Sequence, residues 1–317
     1  MWRLGPGSHK IGIIGVGAVG SACAFALLAG GLAGELVLVD VNRERAAGEA
    51  MDLAHGTPFV RPVKVYDGDW ADLEGAGAVV FTAGVGQKPG ETRLDLINRN
   101  LAVLKRALPT VVRAAPGAML IMVTNPVDVL TFAALRISGL GPEKVIGSGT
   151  VLDSARFRQA LSCRYGVEAR NIHAYVLGEH GDSEVFPWSI ANIAGVGLEE
   201  FARLSGLAQL SRGEIETEVR SAAYSVIARK GVTNYAVSLA VRRIIEAVLG
   251  DEQSILTVSG LLHGEYGLDG VCLSLPCILD HSGRHKALAL ALAPEEETAL
   301  RDSARVLKSV IAESGLA

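Results

Sequence analysis

The sequence has no large excess of charge of either sign. Its 317 residues include 30 Lys and Arg against 34 Asp and Glu, a formal net charge of −4. Acidic and basic residues are mixed along the chain, so no basic stripe indicates nucleic-acid binding and no polybasic segment indicates an anionic membrane. We therefore expect neither a nucleic acid nor a membrane among its partners.

Long apolar runs are also missing. Runs such as Met119–Val123 are far shorter than the roughly 20 residues that a membrane span needs. Residues 1–10 contain glycine and proline but no apolar signal core. We therefore expect a cytoplasmic protein.

Cysteine is scarce, and its spacing suggests no cross-link. Only two of the four cysteines lie close in sequence, and no histidine cluster accompanies them; the four are Cys23, Cys163, Cys272 and Cys277. We expect buried free thiols rather than a disulfide or a zinc site, and no metal. A chain of this length can bury a sizeable core without such staples.

Short apolar segments alternate with helical patterns in the first half of the chain. The predicted strands are at 10–15, 35–40, 78–82, 119–124 and 145–148, with helices at 21–28, 43–53 and 93–108. Continuous apolar strands indicate a sheet covered on both faces, which means parallel strands joined by crossover helices. We predict an α/β fold whose residues 1–148 form a Rossmann-type doubly wound parallel sheet.

The second half has a different pattern. Helices are predicted at 151–165, at 213–249 with an interruption at Gly231, and at 294–314, with strand-like segments at 173–178, 254–260 and 270–279. This is an α+β pattern rather than a second doubly wound unit. We expect residues 149–317 to form a substrate domain, with the boundary near Ser148.

A glycine-rich turn follows the first predicted strand and opens the first helix. Its sequence is Gly15-Val16-Gly17-Ala18-Val19-Gly20, and Asp40 ends the second strand at the spacing typical of dinucleotide sites. The helix N-terminus can bind a pyrophosphate, and a carboxylate at Asp40 can accept hydrogen bonds from a ribose and repel a 2′-phosphate. NAD is therefore favoured over NADP, although the nearby Arg43 could pair with a 2′-phosphate and leaves NADP open.

Four further stretches carry polar residues where α/β sheets bind ligands. They are Gly84–Arg93, Thr124–Asp128, Asp153–Arg156 and Gly178–Asp182. In their order and spacing, and over nearly the whole chain, these motifs resemble the L-lactate/malate dehydrogenase family. Residues 87–93 together with 153–156 are similar to its bacterial L-lactate branch.

The resemblance implies NAD as cofactor, with pyruvate and lactate as substrates, and a set of working residues. The implied catalytic residues are His180, Asp153 and Arg93. The implied substrate-binding residues are Gln87, Arg93, Asn125, Arg156 and Thr233. The implied cofactor-binding residues are Gly15, Gly17, Val19, Gly20, Asp40, Gly84, Val85, Val123, Asn125 and Ser148.

The chemistry of 2-hydroxy-acid oxidation needs these residue types. The nicotinamide accepts a hydride and a base accepts the hydroxyl proton, which a histidine can do in both directions. A buried Asp153 could fix the tautomer of His180 and stabilise its imidazolium. Arg156 can bind the substrate carboxylate with two parallel hydrogen bonds. Arg93 could stabilise charge on the carbonyl oxygen, with Asn125 as a neutral donor to the same region.

Two other classes of function remain open: a dehydrogenase for another 2-hydroxy acid, and a non-catalytic protein. A malate dehydrogenase on the same scaffold would need a cation for the second carboxylate, where this chain has Gln87, so lactate is favoured. A bulkier 2-hydroxy acid is less easily excluded. A non-catalytic NAD-binding scaffold is the second alternative, although the histidine and both arginines that catalysis needs are present.

The resemblance also bears on assembly and regulation. It implies a homotetramer, or less often a dimer. Arg158 and His173 occupy positions that resemble a fructose 1,6-bisphosphate site in the bacterial L-lactate branch. Two subunits across a two-fold axis could each supply one such pair to a bisphosphate. A helix-surface arginine and a strand-end histidine remain the alternative interpretation of these two residues.

Overall fold

The computed structural model describes residues 9–86, 90–208 and 210–316. The strands are β1 Lys10–Ile14, β2 Glu35–Val39, β3 Lys64–Asp67, β4 Ala76–Phe81, β5 Met119–Met122, β6 Val145–Gly147, β7 Ile172–His173, β8 Asn192–Ile193, β9 Val196–Gly197, β10 Ser254–His263, β11 Asp269–Asp280 and β12 Gly283–Ala287. The helices are α1 Ala18–Gly30, α2 Arg43–His55, α3 Arg93–Ala114, α4 Val127–Ser138, α5 Val151–Tyr165, α6 Leu198–Leu204, α7 Arg212–Lys230, α8 Tyr235–Leu249 and α9 Pro294–Glu313.

Six parallel strands form the centre of the fold, in the order β6-β5-β4-β1-β2-β3. The strand order reverses between β1 and β4, so the loops that follow these two strands diverge and leave a crevice at their carboxyl ends. The burial of nearly every residue in β1, β2, β4 and β5 explains their continuous apolar sequence. The predicted doubly wound parallel sheet is confirmed.

The second half extends the same sheet. Strands β10, β11 and β12 pair antiparallel with one another and join β6 through the Ser259–Gly147 pair, which makes a nine-stranded sheet. Strands β7, β8 and β9 form a small separate sheet. The main core therefore contains side chains from both halves of the chain, and a second core surrounds Phe157. The second half is α+β, as predicted, and the boundary near Ser148 stays a prediction.

Sequence patterning missed several elements, for physical reasons. Strand β3 lies at the edge of the sheet with exposed ends, and β12 has the polar sequence Gly-Arg-His-Lys-Ala, so neither contains an apolar run. Helix α4 is buried over most of its length and lacks the polar face that marks an amphipathic helix. Cys23, Cys272 and Cys277 are buried free thiols, but the expectation was wrong for Cys163, which is exposed.

Within the described parts of the chain, no helix combines the length and the apolar character needed to cross a membrane.

Candidate active site

The glycine turn after β1 is shaped to admit a phosphate. Gly15 has φ +89°, and a Cβ there would lie 2.6 Å from the Cα of Ala83. A Cβ on Gly20 would lie 1.9 Å from the carbonyl oxygen of Gly15, so α1 packs against the turn itself. A Cβ on Gly17 would meet no atom within 4 Å, and no side chain caps α1. The first-turn N–H groups of α1 are therefore available to an anion.

Asp40 lies beside this turn, at the end of β2. Its Oδ2 accepts a hydrogen bond from the backbone N–H of Val16 at 2.8 Å, and its Oδ1 accepts one from Asn42 at 2.8 Å. Each carboxylate oxygen keeps a further lone pair for a ribose hydroxyl. Arg43, which left NADP open, forms an ion pair with Asp69. The turn and the carboxylate fit a dinucleotide without a 2′-phosphate.

A second loop is held at the carboxyl ends of β4 and β5 by Asn100. Its buried side chain accepts from the N–H of Val85 at 2.7 Å and donates to the carbonyl oxygen of Asn125 at 2.8 Å. A Cβ on Gly84 would lie 2.4 Å from Thr124, so the loop needs glycine there. No sequence pattern pointed to Asn100, because its side chain binds only backbone groups.

The other predicted cofactor and substrate residues lie around the same crevice. Val123 and Ser148 follow β5 and β6 and are nearly buried. Val19 is half-buried in the first turn of α1. Thr233 lies in the loop between α7 and α8, where the side-chain amide of Asn234 donates to the carbonyl oxygen of Ala18 at 3.4 Å. This contact brings the Thr233 loop against the glycine turn.

Asp153 is the centre of the predicted catalytic group. It lies in the first turn of α5 and is 2% exposed. Its Oδ2 is 2.6 Å from Nδ1 of His180, and its Oδ1 accepts from Nη1 of Arg156 at 2.8 Å. The structure therefore joins one imidazole and one guanidinium through a single buried carboxylate. The other ring nitrogen of His180 and the rest of the Arg156 fork are left for other partners.

The charges of this group determine its protonation. Burial alone would raise the pKa of Asp153, but the charge of His180, its hydrogen bond and Arg156 together hold that pKa below its usual range. Burial alone would lower the pKa of His180, but Asp153, with smaller contributions from Asp128 and Glu184, raises it to about 9. The imidazolium is therefore the form of His180 at neutral pH.

Asp128 fixes the backbone of His180. Its Oδ2 accepts the His180 N–H at 2.8 Å, and its side chain is fully enclosed. Burial raises the pKa of Asp128 to about 6, against the opposing effects of Ser259 and of the His180 N–H and charge. Asp128 ends one of the four polar stretches, but the sequence assigned it no role, because its contact is with a backbone group 52 residues away.

Arg93 begins α3 and forms an ion pair with Glu179, the residue before His180. Glu179 is buried and also accepts from Ser183 Oγ at 2.5 Å, while its own N–H donates to Ser303 Oγ at 2.8 Å. Arg93 therefore contacts the segment that carries His180 rather than the Asp153 carboxylate. Gln87, the predicted specificity residue, lies outside the described residues.

The two predicted allosteric residues lie on neighbouring elements. Arg158 is on α5, two residues after Arg156, and its Nε donates to the carbonyl oxygen of Ser154 at 3.3 Å. His173 is exposed on β7, which packs against α5. On β7 the buried Ile172 belongs to the second core, and the exposed His173 points to the opposite side of the strand.

Other histidines also pair with carboxylates, so pairing alone is not diagnostic. His281 is 2.7 Å from Asp251 and His285 is 2.6 Å from Asp280. The His281 and His285 side chains are 72% and 47% exposed, against 24% for His180. The His180 pair differs in its burial and in its third member, Arg156.

Comparison with known proteins gives a consistent result. Residues 9–147 match the sequence model of the lactate/malate dehydrogenase NAD binding domain, and residues 150–315 match that of the lactate/malate dehydrogenase alpha/beta C-terminal domain. The first match confirms the prediction of NAD as cofactor.

Curated relatives and solved structures agree with these matches. The chain is 55% identical to an L-lactate dehydrogenase of Moorella thermoacetica, over 98% of this chain and 99% of the relative. It is 51% identical to L-lactate dehydrogenase 1 of Clostridium acetobutylicum, over 94% and 96%. The crystal structure of the minor L-lactate dehydrogenase from Enterococcus mundtii has a TM-score of 0.93 and 38% identity, covering 96% and 98% of the two chains. The chain therefore belongs to the lactate/malate dehydrogenase family and is an NAD-dependent oxidoreductase.

Proposed function

We propose that this protein is an L-lactate dehydrogenase, which interconverts (S)-lactate and pyruvate. The observation that carries the proposal is the buried Asp153 carboxylate, shared between the His180 imidazole and the Arg156 guanidinium. A proton carrier and a carboxylate-binding group are thereby held on the same carboxylate. A 2-hydroxy or 2-oxo acid needs both groups, one to exchange the proton of its oxygen and one to bind its carboxylate.

In pyruvate reduction, His180 is the proton donor. Asp153 holds Nδ1, so the opposite ring nitrogen carries the proton that the carbonyl oxygen receives. The raised proton affinity of His180 keeps it charged at neutral pH, as a donor must be. The nicotinamide cofactor, when bound at the glycine turn, would supply the hydride as NADH for pyruvate reduction and accept it as NAD⁺ for lactate oxidation. In lactate oxidation His180 has to begin neutral, so we expect that direction to be favoured at alkaline pH.

The remaining polar groups bind and polarise the substrate. Arg156 has N–H groups beyond the one that binds Asp153, and these would bind the substrate carboxylate. Arg93 would stabilise charge on the carbonyl oxygen after exchanging Glu179 for the substrate. Asn125, held by Asn100, and Thr233, held near the glycine turn, would line the same space. Gln87 would face the methyl end of pyruvate and leave no cation for a second carboxylate.

A substrate panel tests this proposal. NADH oxidation would be followed with pyruvate, oxaloacetate and a branched 2-oxo acid, with and without fructose 1,6-bisphosphate. We expect the highest kcat/KM for pyruvate. A higher kcat/KM for oxaloacetate would indicate a malate dehydrogenase, and no turnover with any substrate under any condition would indicate an NAD-binding scaffold.

We also propose that the chain assembles as a homotetramer and that fructose 1,6-bisphosphate activates it. Large apolar side chains are exposed on α1 and α8, which pack against each other: Phe25 is 62% exposed, Tyr235 71% and Leu239 58%. Such side chains favour burial against a second subunit. Arg158 and His173 offer cations for a phosphate, and a second subunit would supply the other pair. Light scattering tests the assembly directly.

A further inference from the structure

Two aspartates and two histidines gather around the turn between β11 and β12. Asp280 ends β11, His281 lies in the turn, and His285 is on β12. Asp251 comes from the turn between α8 and β10. One ring nitrogen of His281 and one carboxylate oxygen each from Asp251 and Asp280 lie within 4.8 Å of one another. The fold therefore brings together three side chains that can each donate a lone pair to the same ion.

The charges in this cluster are arranged as two pairs of nitrogen and oxygen. Nδ1 of His281 is 2.7 Å from Oδ1 of Asp251, and Nε2 of His285 is 2.6 Å from Oδ2 of Asp280. The hydrogen bond of the first pair lowers the pKa of Asp251 and raises that of His281. Two carboxylates this close repel each other, so the cluster favours a cation between them. A divalent metal ion supplies two positive charges where the His281 imidazolium supplies one.

Asp280 is held in place by hydrogen bonds, as a metal-ligating carboxylate usually is. It is buried, and its Oδ1 accepts from the N–H of Ser282 at 2.9 Å and from the Oγ of Ser282 at 2.8 Å. Its Oδ2 faces His285 and keeps one further lone pair. Two ligands with bonds of about 2.1 Å to one metal lie at most about 4.2 Å apart. Asp251 and His281 are exposed, so a small rotation of their side chains reaches this geometry.

We propose that Asp251, Asp280 and His281 bind one divalent transition-metal ion such as Zn²⁺, with His285 and Ser282 holding the Asp280 ligand. Imidazole nitrogen and carboxylate oxygen together suit ions of this class, whereas Mg²⁺ and Ca²⁺ prefer oxygen alone. Water would complete the coordination, because two of the three ligands are open to solvent. The bound ion ties the turn after α8 to the turn after β11 and so stabilises the folded chain.

This cluster forms only in the fold, because Asp251 and His281 are 30 residues apart in sequence. The cysteines, from whose spacing no metal was expected, take no part in it. Among the described residues, the four side chains of the cluster form no hydrogen bond or ion pair with Asp153, Arg156 or His180. The inference therefore does not depend on the proposed function.

Calorimetric titration of the whole protein with Zn²⁺ tests the site. The parent and all variants carry Cys163→Ser, because Cys163 is exposed and a free thiolate binds zinc. We expect Asp251→Asn and His281→Asn each to weaken Zn²⁺ binding about tenfold or more. Both positions are exposed, and Asn tolerates the φ of +53° at residue 251, so both variants should fold. Mg²⁺ should bind neither the parent nor the variants at this site.

His55→Asn is the matched control, since it removes an exposed histidine at the end of α2, outside the cluster. Its Zn²⁺ affinity should equal that of the parent. Thermal melting is an independent readout: Zn²⁺ should raise the Tm of the parent and of His55→Asn by more than it raises the Tm of Asp251→Asn and His281→Asn. Unchanged Zn²⁺ affinity in both of the latter variants, or Mg²⁺ binding as tight as Zn²⁺ binding, would overturn the inference.

Discussion

At the scale of single residues, Asp153 connects the two groups that the proposed reaction needs. Its two oxygens bind His180 and Arg156, so the imidazolium and the carboxylate-binding guanidinium keep a fixed relation. The motif that carries Asp153 made this grouping predictable from the sequence. Asn100 and Asp128 were not predictable, because they act through backbone groups and belong to no local pattern.

Gln87 carries the choice of substrate in the proposed function. We expect Gln87→Arg to raise kcat/KM for oxaloacetate relative to pyruvate by at least two orders of magnitude. The new cation pairs with the second carboxylate and stands unpaired opposite the pyruvate methyl group, and such pairing is worth several kcal/mol in a desolvated pocket. Steady-state kinetics with both acids measures the ratio. A ratio that does not rise would mean that Gln87 does not face the substrate.

At the scale of elements, the glycine turn and the start of α1 form one unit. Gly17→Ala should leave the melting temperature unchanged, because its Cβ meets no atom within 4 Å, but should weaken NADH binding tenfold or more by filling the space for the pyrophosphate. Calorimetric titration with NADH and thermal melting separate the two effects. Wild-type NADH affinity in this variant would exclude the pyrophosphate from the turn.

Gly20→Ala is the matched variant in the same turn. Its Cβ would lie 1.9 Å from the carbonyl oxygen of Gly15, so α1 must shift away from β1. We expect a loss of about 1 to 3 kcal/mol in the free energy of unfolding, the usual cost of overpacking, together with weaker NADH binding. A fully stable Gly20→Ala protein would show that the helix is not packed this closely.

The elements that the sequence predicted well are those with a clear apolar pattern. The buried parallel strands have unbroken apolar runs, and the long amphipathic α3 and α9 have apolar residues at helical spacing, because each helix has one buried and one exposed face. The edge strand β3, the buried α4 and the polar β12 gave none. Pattern alone also could not show that β10–β12 extend the parallel sheet, since sheet order depends on packing between distant segments.

At the scale of the whole molecule, protonation of the catalytic group affects stability. The pKa of His180 is about 9 in the folded protein against 6.5 for a free imidazole, so the folded chain holds an extra proton between these values. The stabilisation that His180 contributes to the folded protein is complete below about pH 6.5 and is lost as the pH rises through 9. The pKa of Glu184 is also raised, from 4.5 to about 8, so its ionisation lowers stability in the same direction as the pH rises.

We therefore expect the melting temperature to fall between pH 6.5 and 9. Thermal melting across this range, repeated with His180→Asn, measures the effect, and the variant should show a shallower slope. The exposed pair His281–Asp251 remains in both proteins, so its contribution cancels in the comparison. An identical slope in the variant would mean that the folded-state pKa of His180 is not raised.

Regulation also belongs to the whole molecule, because the proposed effector site needs two subunits. We expect fructose 1,6-bisphosphate to lower the half-saturating pyruvate concentration about fivefold or more, within the usual range of allosteric coupling. Arg158→Gln and His173→Gln should abolish it. An unchanged half-saturation in the wild type would refute the allosteric proposal.

The most direct measurement of the central claim is the turnover of His180→Asn with NADH and pyruvate, alongside its affinity for NADH. Asn keeps a polar side chain but cannot transfer the proton. NADH binding should be spared, because the glycine turn and Asp40 lie on other elements than His180. The proposed mechanism predicts a fall in kcat of roughly 10²- to 10⁴-fold with NADH affinity within about twofold of the wild type. Near-normal turnover in the variant would contradict the assignment of His180 as the proton donor.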